Sequence, residues 1–141
     1  MAKQRLPATQ AVRVLKAARV AFDSHPYSYQ ERGGTAQFAR EMGIDEHLVI
    51  KTLILEDEGG QPLVMLMHGD QEVSTKALAR QIGVKNVQVC APATADRHSG
   101  YQVGGTSPFG TRRRMPVYCE RTVLELPRIY PECVTIQLIL P

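Results

Sequence analysis

The chain has 141 residues, 43% of them hydrophobic and 22% charged, and its 17 Lys and Arg against 14 Asp and Glu leave a formal net charge of +3. That is the length of one ordinary domain, 1–141, with enough apolar residues for a core and a balance that permits a nucleic-acid partner without demanding one. No apolar run approaches the ~18 residues that would span a membrane, and Arg13, Lys16 and Arg19 interrupt the segment where a signal peptide would place its apolar stretch.

Residues 8–22 read as an amphipathic helix, with Ala11, Val12, Leu15, Ala18 and Phe22 at spacings of three and four. Asp23 to His25 breaks the pattern, and 27–29 reads as a short aromatic edge strand. Gly33-Gly34 is a turn, Thr35 starts a helix that continues over 36–42, and Gly43 ends it. Residues 49–56 and 62–68 are two strands joined by Asp57-Glu58-Gly59-Gly60. Ser74 caps a helix running to Gln81, and Gly83 ends it. Residues 86–90 form a strand, and Pro92 suits the first turn of a short helix over 93–98. Six Gly and Pro residues make 100–116 a structured loop region. Strands follow at 117–120 and 134–140, with a short helix near 123–126. Interleaved strands and helices with hairpin-like links predict an α/β fold with a mixed sheet.

Lys51 is the anomalous residue, because alternation puts it on the same face as Val49, Leu53 and Leu55. An ammonium there either snorkels to water along its stem or faces an anion inside a pocket. The run Gly100-Tyr101-Gln102-Val103-Gly104-Gly105-Thr106-Ser107-Pro108-Phe109-Gly110 has two adjacent glycines, which let backbone amides approach a ligand, but it also suits a tight structural turn. It lacks the Lys-Ser or Lys-Thr of a phosphate-binding P-loop and the spacing of a dinucleotide fingerprint. Arg112-Arg113-Arg114 follows at once, either as a solvated face or as a grip on phosphates. His25, His47, His68 and His98 lie in separate segments without ligand spacing, so no metal is expected. Cys90, Cys119 and Cys133 are odd in number and lack CxxC spacing, which points to reduced thiols in a cytoplasmic protein. No Ser–His–Asp or Cys–His arrangement stands out.

Taken together, Val49-Ile50-Lys51-Thr52-Leu53 and, about fifty residues later, Gly104-Gly105-Thr106-Ser107-Pro108-Phe109-Gly110 resemble the YbaK/EbsC family of aminoacyl-tRNA deacylases. The same domain type occurs inserted in some prolyl-tRNA synthetases. Lys51 matches the essential lysine of that family, and Gly104 and Pro108 match its GxxxP loop. The resemblance implies a mixed, barrel-like β-sheet flanked by helices. It implies removal of a wrong amino acid from tRNA, with Cys-tRNA(Pro) the substrate suggested by the Gly-Gly-x-Ser-Pro form. In that branch the substrate's own thiol attacks its ester carbonyl, so no protein nucleophile and no cofactor are expected. Lys51, Gly104 and Gly105 then form the catalytic set. Tyr27, Thr106, Ser107, Pro108 and Thr135 line the substrate, and Arg112, Arg113 and Arg114 hold tRNA. Thr135 stands where the family places an acidic residue in its last core strand. The implied partners are aminoacyl-tRNA(Pro) and prolyl-tRNA synthetase. The alternatives are another small amino acid on tRNA, or a regulatory module that binds tRNA or a synthetase without chemistry.

Overall fold

The computed structural model describes residues 10–19, 21, 23–24, 34–100, 111–131 and 134–137. The amphipathic start folds as helix α1, Gln10–Ala17, and stops short of the expected end. Arg19 takes a left-handed φ of 56°, and the amides of Ala18 and Arg19 close back on the Val14 and Lys16 carbonyls. A helix of L-residues does not continue through that conformation. The strand expected over 27–29 lies outside the described residues. Strand β1 is Asp23–Ser24, within the segment that breaks the helical pattern.

Helix α2, Gly34–Met42, follows, with Gly34 at φ 57° opening the helix rather than closing a turn. A 3-10 turn, Glu46–Leu48, is capped by Asp45, whose carboxylate accepts from the His47 amide at 2.9 Å. Strands β2, Val49–Asp57, and β3, Pro62–His68, form an antiparallel hairpin in register from Ile50↔His68 to Glu56↔Pro62. Asp57 builds the turn, its Oδ1 accepting from the amides of Gly59 and Gln61, while Gly60 supplies a φ of 74°.

Helix α3, Thr75–Ile82, has the expected punctuation: Ser74 accepts from the Ala77 amide at 3.2 Å, and Gly83 ends it at φ 78°. Strand β4 is Val87–Val89, and helix α4 is Pro92–Ser99, with proline in its first turn and Gly100 after its last. Strand β5, Val117–Cys119, leads to a second 3-10 turn, Arg121–Glu125, in place of the expected short helix. Strands β6, Arg128–Pro131, and β7, Val134–Gln137, complete the sheet. The sequence pattern hides β6. Pro127 precedes it and Pro131 ends it, and proline donates nothing to a ladder, so the three residues between them read as loop.

The strands run in the order β1-β7-β6-β2-β3-β5, with β4 also paired to β2. The sheet is mixed, because β2–β6 and β3–β5 are parallel and the other pairs are antiparallel. It is open rather than barrel-like. A barrel pairs every strand on both edges, whereas among the described residues β1 pairs with β7 alone and β5 with β3 alone.

Strand β2 is central and covered on both faces, which explains its near-continuous apolar sequence. On one face Leu55, Met65 and Met67 pack with Leu78 and Ala79 of α3. On the other, Ile54 and Val64 pack with Cys90, Met115 and Ala95 of α4. Toward β6, Val49 and Tyr130 pack with Phe38 and Ala39 of α2.

Candidate functional site

Lys51 sits one pair from the start of the hairpin, opposite the buried Met67. On its face of β2, Val49 belongs to the cluster under α2, while Leu53 and Leu55 belong to the cluster under α3. Lys51 occupies the seam between them and is half-buried. Among the described residues, no carboxylate forms an ion pair with its ammonium and no hydrogen bond reaches it. A cation on such a face is left to water or to an incoming anion for compensation. Next to it on the opposite face, Thr52 Oγ1 is the one buried side-chain oxygen or nitrogen among the described residues with no hydrogen-bond partner.

The other sequence-predicted residues fall in three groups. Tyr27, Gly104, Gly105, Thr106, Ser107 and Pro108 lie outside the described residues. Thr135 lies on β7, opposite Asp23 of β1. The β6–β7 register Ile129↔Ile136, carried one residue further, sets Thr135 in the cross-sheet row of Tyr130, which pairs with Val49. Arg112, Arg113 and Arg114 are exposed, and the backbone of the first two is tied to the end of α4. The Arg112 amide donates to the Ser99 carbonyl at 2.9 Å and the Arg113 amide to that of His98 at 3.0 Å. Both flanks of 101–110 therefore root at the end of α4, which packs on the Ile54 face, opposite the face that carries Lys51.

No thiolate nucleophile is prepared at the described cysteines. Burial pushes the thiols of Cys90 and Cys119 above their ordinary range, with Glu56 and Glu120 adding to it respectively.

The structure joins two histidines that sequence spacing kept apart. His47 and His68 stack with ring centroids 3.7 Å apart and planes 5° from parallel. His47 Nδ1 lies 3.0 Å from Asp70 Oδ1. His68 is fully buried, its Nδ1 2.7 Å from the His47 carbonyl and its Nε2 2.7 Å from Thr122 Oγ1. Thr122 in turn bonds Glu120, whose Oε2 is 3.4 Å from His68 Nε2. No group of three metal-ligating side chains occurs among the described residues. Positions 47 and 68 lie on different elements, so periodicity carried no signal for this pair.

The aminoacyl-tRNA editing domain family matches residues 31–136. EbsC of Enterococcus faecalis, named as a Cys-tRNA(Pro)/Cys-tRNA(Cys) deacylase, is 29% identical over 111 residues, 78% of this chain and 68% of EbsC. A proline–tRNA ligase of Thermodesulfovibrio yellowstonii is 31% identical over 80 residues, 57% of this chain and 14% of the ligase. A crystal structure described as a trans-editing enzyme for prolyl-tRNA synthetase superposes with a TM-score of 0.75 at 17% identity, covering 96% of this chain and 88% of that one.

Proposed function

Because the chain belongs to the aminoacyl-tRNA editing domain family, matched over residues 31–136, we propose that it deacylates mischarged tRNA in trans, with Cys-tRNA(Pro) as its substrate. The observation that carries this reading is Lys51, a half-buried residue whose ammonium has no carboxylate partner among the described residues, in a strand otherwise closed by apolar packing. Such a cation suits an anionic ligand, here the phosphate of the tRNA's terminal nucleotide or the charge that develops at the ester.

In this mechanism the substrate's thiol sulfur attacks its own ester carbonyl. The sulfur–carbon bond forms, the carbon–oxygen bond to the ribose breaks, and the thiol proton ends on the ribose oxygen. The products are a cyclic thiolactone, which water then opens, and free tRNA. The protein needs no nucleophile for this, only positioning and charge stabilisation. That agrees with the raised thiols of Cys90 and Cys119. Gly104 and Gly105 would grip the acyl or ribose end through backbone amides, with Tyr27, Thr106, Ser107, Pro108 and Thr135 around the amino acid. Arg112, Arg113 and Arg114 would hold tRNA phosphates. The setting is the cytoplasm, beside prolyl-tRNA synthetase.

The decisive experiment incubates the protein with Cys-tRNA(Pro) and Ala-tRNA(Pro) and follows the ester. Loss of cysteine well above the spontaneous rate is expected, and Lys51→Ala abolishes it while the thermal transition persists. Faster loss of alanine would move the reading to another small amino acid. Binding of either tRNA without ester loss would leave a non-catalytic module.

A further inference from the structure

The entry to β2 is held by an unusual set of bonds. The Gly69 amide donates to the Val49 carbonyl at 2.7 Å, and His68 Nδ1 meets the carbonyl of His47 at 2.7 Å. Two successive residues at the end of β3 thus grip the backbone four and two residues before Lys51. A carbonyl only accepts, so Nδ1 of His68 carries a proton and donates it.

The other ring nitrogen extends the grip to the second 3-10 turn. Thr122 has one hydroxyl proton and two neighbours, Glu120 and His68 Nε2. Glu120 is held ionised, below its ordinary range, first by the Thr122 hydroxyl, then by the Thr122 amide and the charge of His68, against its own desolvation. Its carboxylate can only accept, so it takes the hydroxyl proton, and Thr122 Oγ1 stands 2.7 Å from Nε2 of His68. Glu120 Oε2 lies 3.4 Å from the same ring nitrogen. His47 lies over one face of the ring, with Asp70 on its own Nδ1. The other charged groups on these elements are Glu46, which accepts from Thr35 at 2.8 Å, and Arg121 and Glu125 of the second turn.

We propose that His68 is a positioning residue for Lys51: clamped between the His47 carbonyl and the Thr122–Glu120 pair, it fixes the start of β2 and with it the place of the ammonium in the seam. This rests on reading Lys51 as the site cation. The clamp itself touches no substrate. Its side chain lies on the Ile50 face of the hairpin and that of Lys51 on the other, so it acts only through the backbone they share.

The test uses Thr122→Val, which removes the hydroxyl at nearly constant volume, and Thr122→Ser, which restores it. Lysines are methylated with carbon-13 and the Lys51 signal is assigned by its absence in Lys51→Arg. Thr122→Val is expected to shift and broaden that signal, and Thr122→Ser to return it. In nitrogen-15 spectra, Nδ1 of His68 is expected to carry a proton. With Cys-tRNA(Pro), Thr122→Val is expected to lower kcat by roughly tenfold to a hundredfold, the scale of a small misplacement, with KM little changed and Thr122→Ser restoring kcat. An unmoved Lys51 signal in folded Thr122→Val, or a bare Nδ1 on His68, overturns the proposal. If the native protein deacylates no tRNA, the functional reading fails, and the Lys51 signal still decides the clamp.

Discussion

Thr52 and Glu120 show in opposite ways how a single polar group sets local stability. The Thr52 hydroxyl is buried without a partner, beside Lys51 on the strand. A folded chain bears that cost, about 1–3 kcal/mol, only where something compensates it. Thr52→Val keeps the shape and removes the orphan. It is expected to raise the denaturation midpoint by about 1 kcal/mol in free-energy terms, and a fall in stability would mean that the hydroxyl has a partner. Glu120 is over-satisfied instead. Its folded value is depressed, so its contribution is fully present above the ordinary carboxylate value and is lost as pH falls through the lower folded value. Urea midpoints measured across the acid range should therefore fall more steeply in the native chain than in Glu120→Gln. Parallel curves would show that Thr122 and His68 do not hold this carboxylate.

Elements meet at Gly69, which follows β3 and faces the first turn of α2. A Cβ there would stand 2.7 Å from Thr35 Cβ and Oγ1 and 3.0 Å from the Glu46 carbonyl oxygen, and the latter is backbone that cannot rotate away. Gly69→Ala is expected to cost about 1–3 kcal/mol, as overpacking does, read as a lower midpoint at unchanged denaturant slope. Nothing in the sequence flags this glycine, because its constraint comes from residues more than twenty positions away. The same holds for His47 and His68. What was legible is what neighbours in sequence decide. Apolar runs around a Gly-Gly turn placed β2 and β3, Ser74 and Gly83 bounded α3, and Pro92 marked the start of α4. The end of α1 turned on one left-handed residue, Arg19, and β6 turned on pairing to β2 and β7 that overrode the prolines before it and at its end. For the candidate site, Lys51 stood out because a charge broke an apolar face. That no carboxylate among the described residues pairs with it, and that His68 grips the backbone behind it, needed three dimensions.

At the scale of the molecule, a net charge of +3 is too small to draw in tRNA by itself. Affinity has to come from where the charges are concentrated, and the densest run is Arg112 to Arg114, exposed and fixed by its backbone to α4. Fixing the backbone matters, because long side chains on an ordered base lose less freedom on meeting phosphates than the same residues on a loose chain. Phosphate contacts release counterions, so each one contributes roughly 0.7 to 0.9 to the slope of log affinity against log salt. Replacing all three arginines by glutamine should raise KM for tRNA at moderate salt and flatten that slope by about one to three contacts' worth. The effect should be similar for tRNAs of different sequence, since phosphate contacts position rather than specify. The turnover number should hold, because the run touches no reacting atom in this reading. A variant with unchanged salt dependence would place the tRNA-binding face elsewhere, and one with unchanged KM but a reduced turnover number would put these arginines at the chemistry instead.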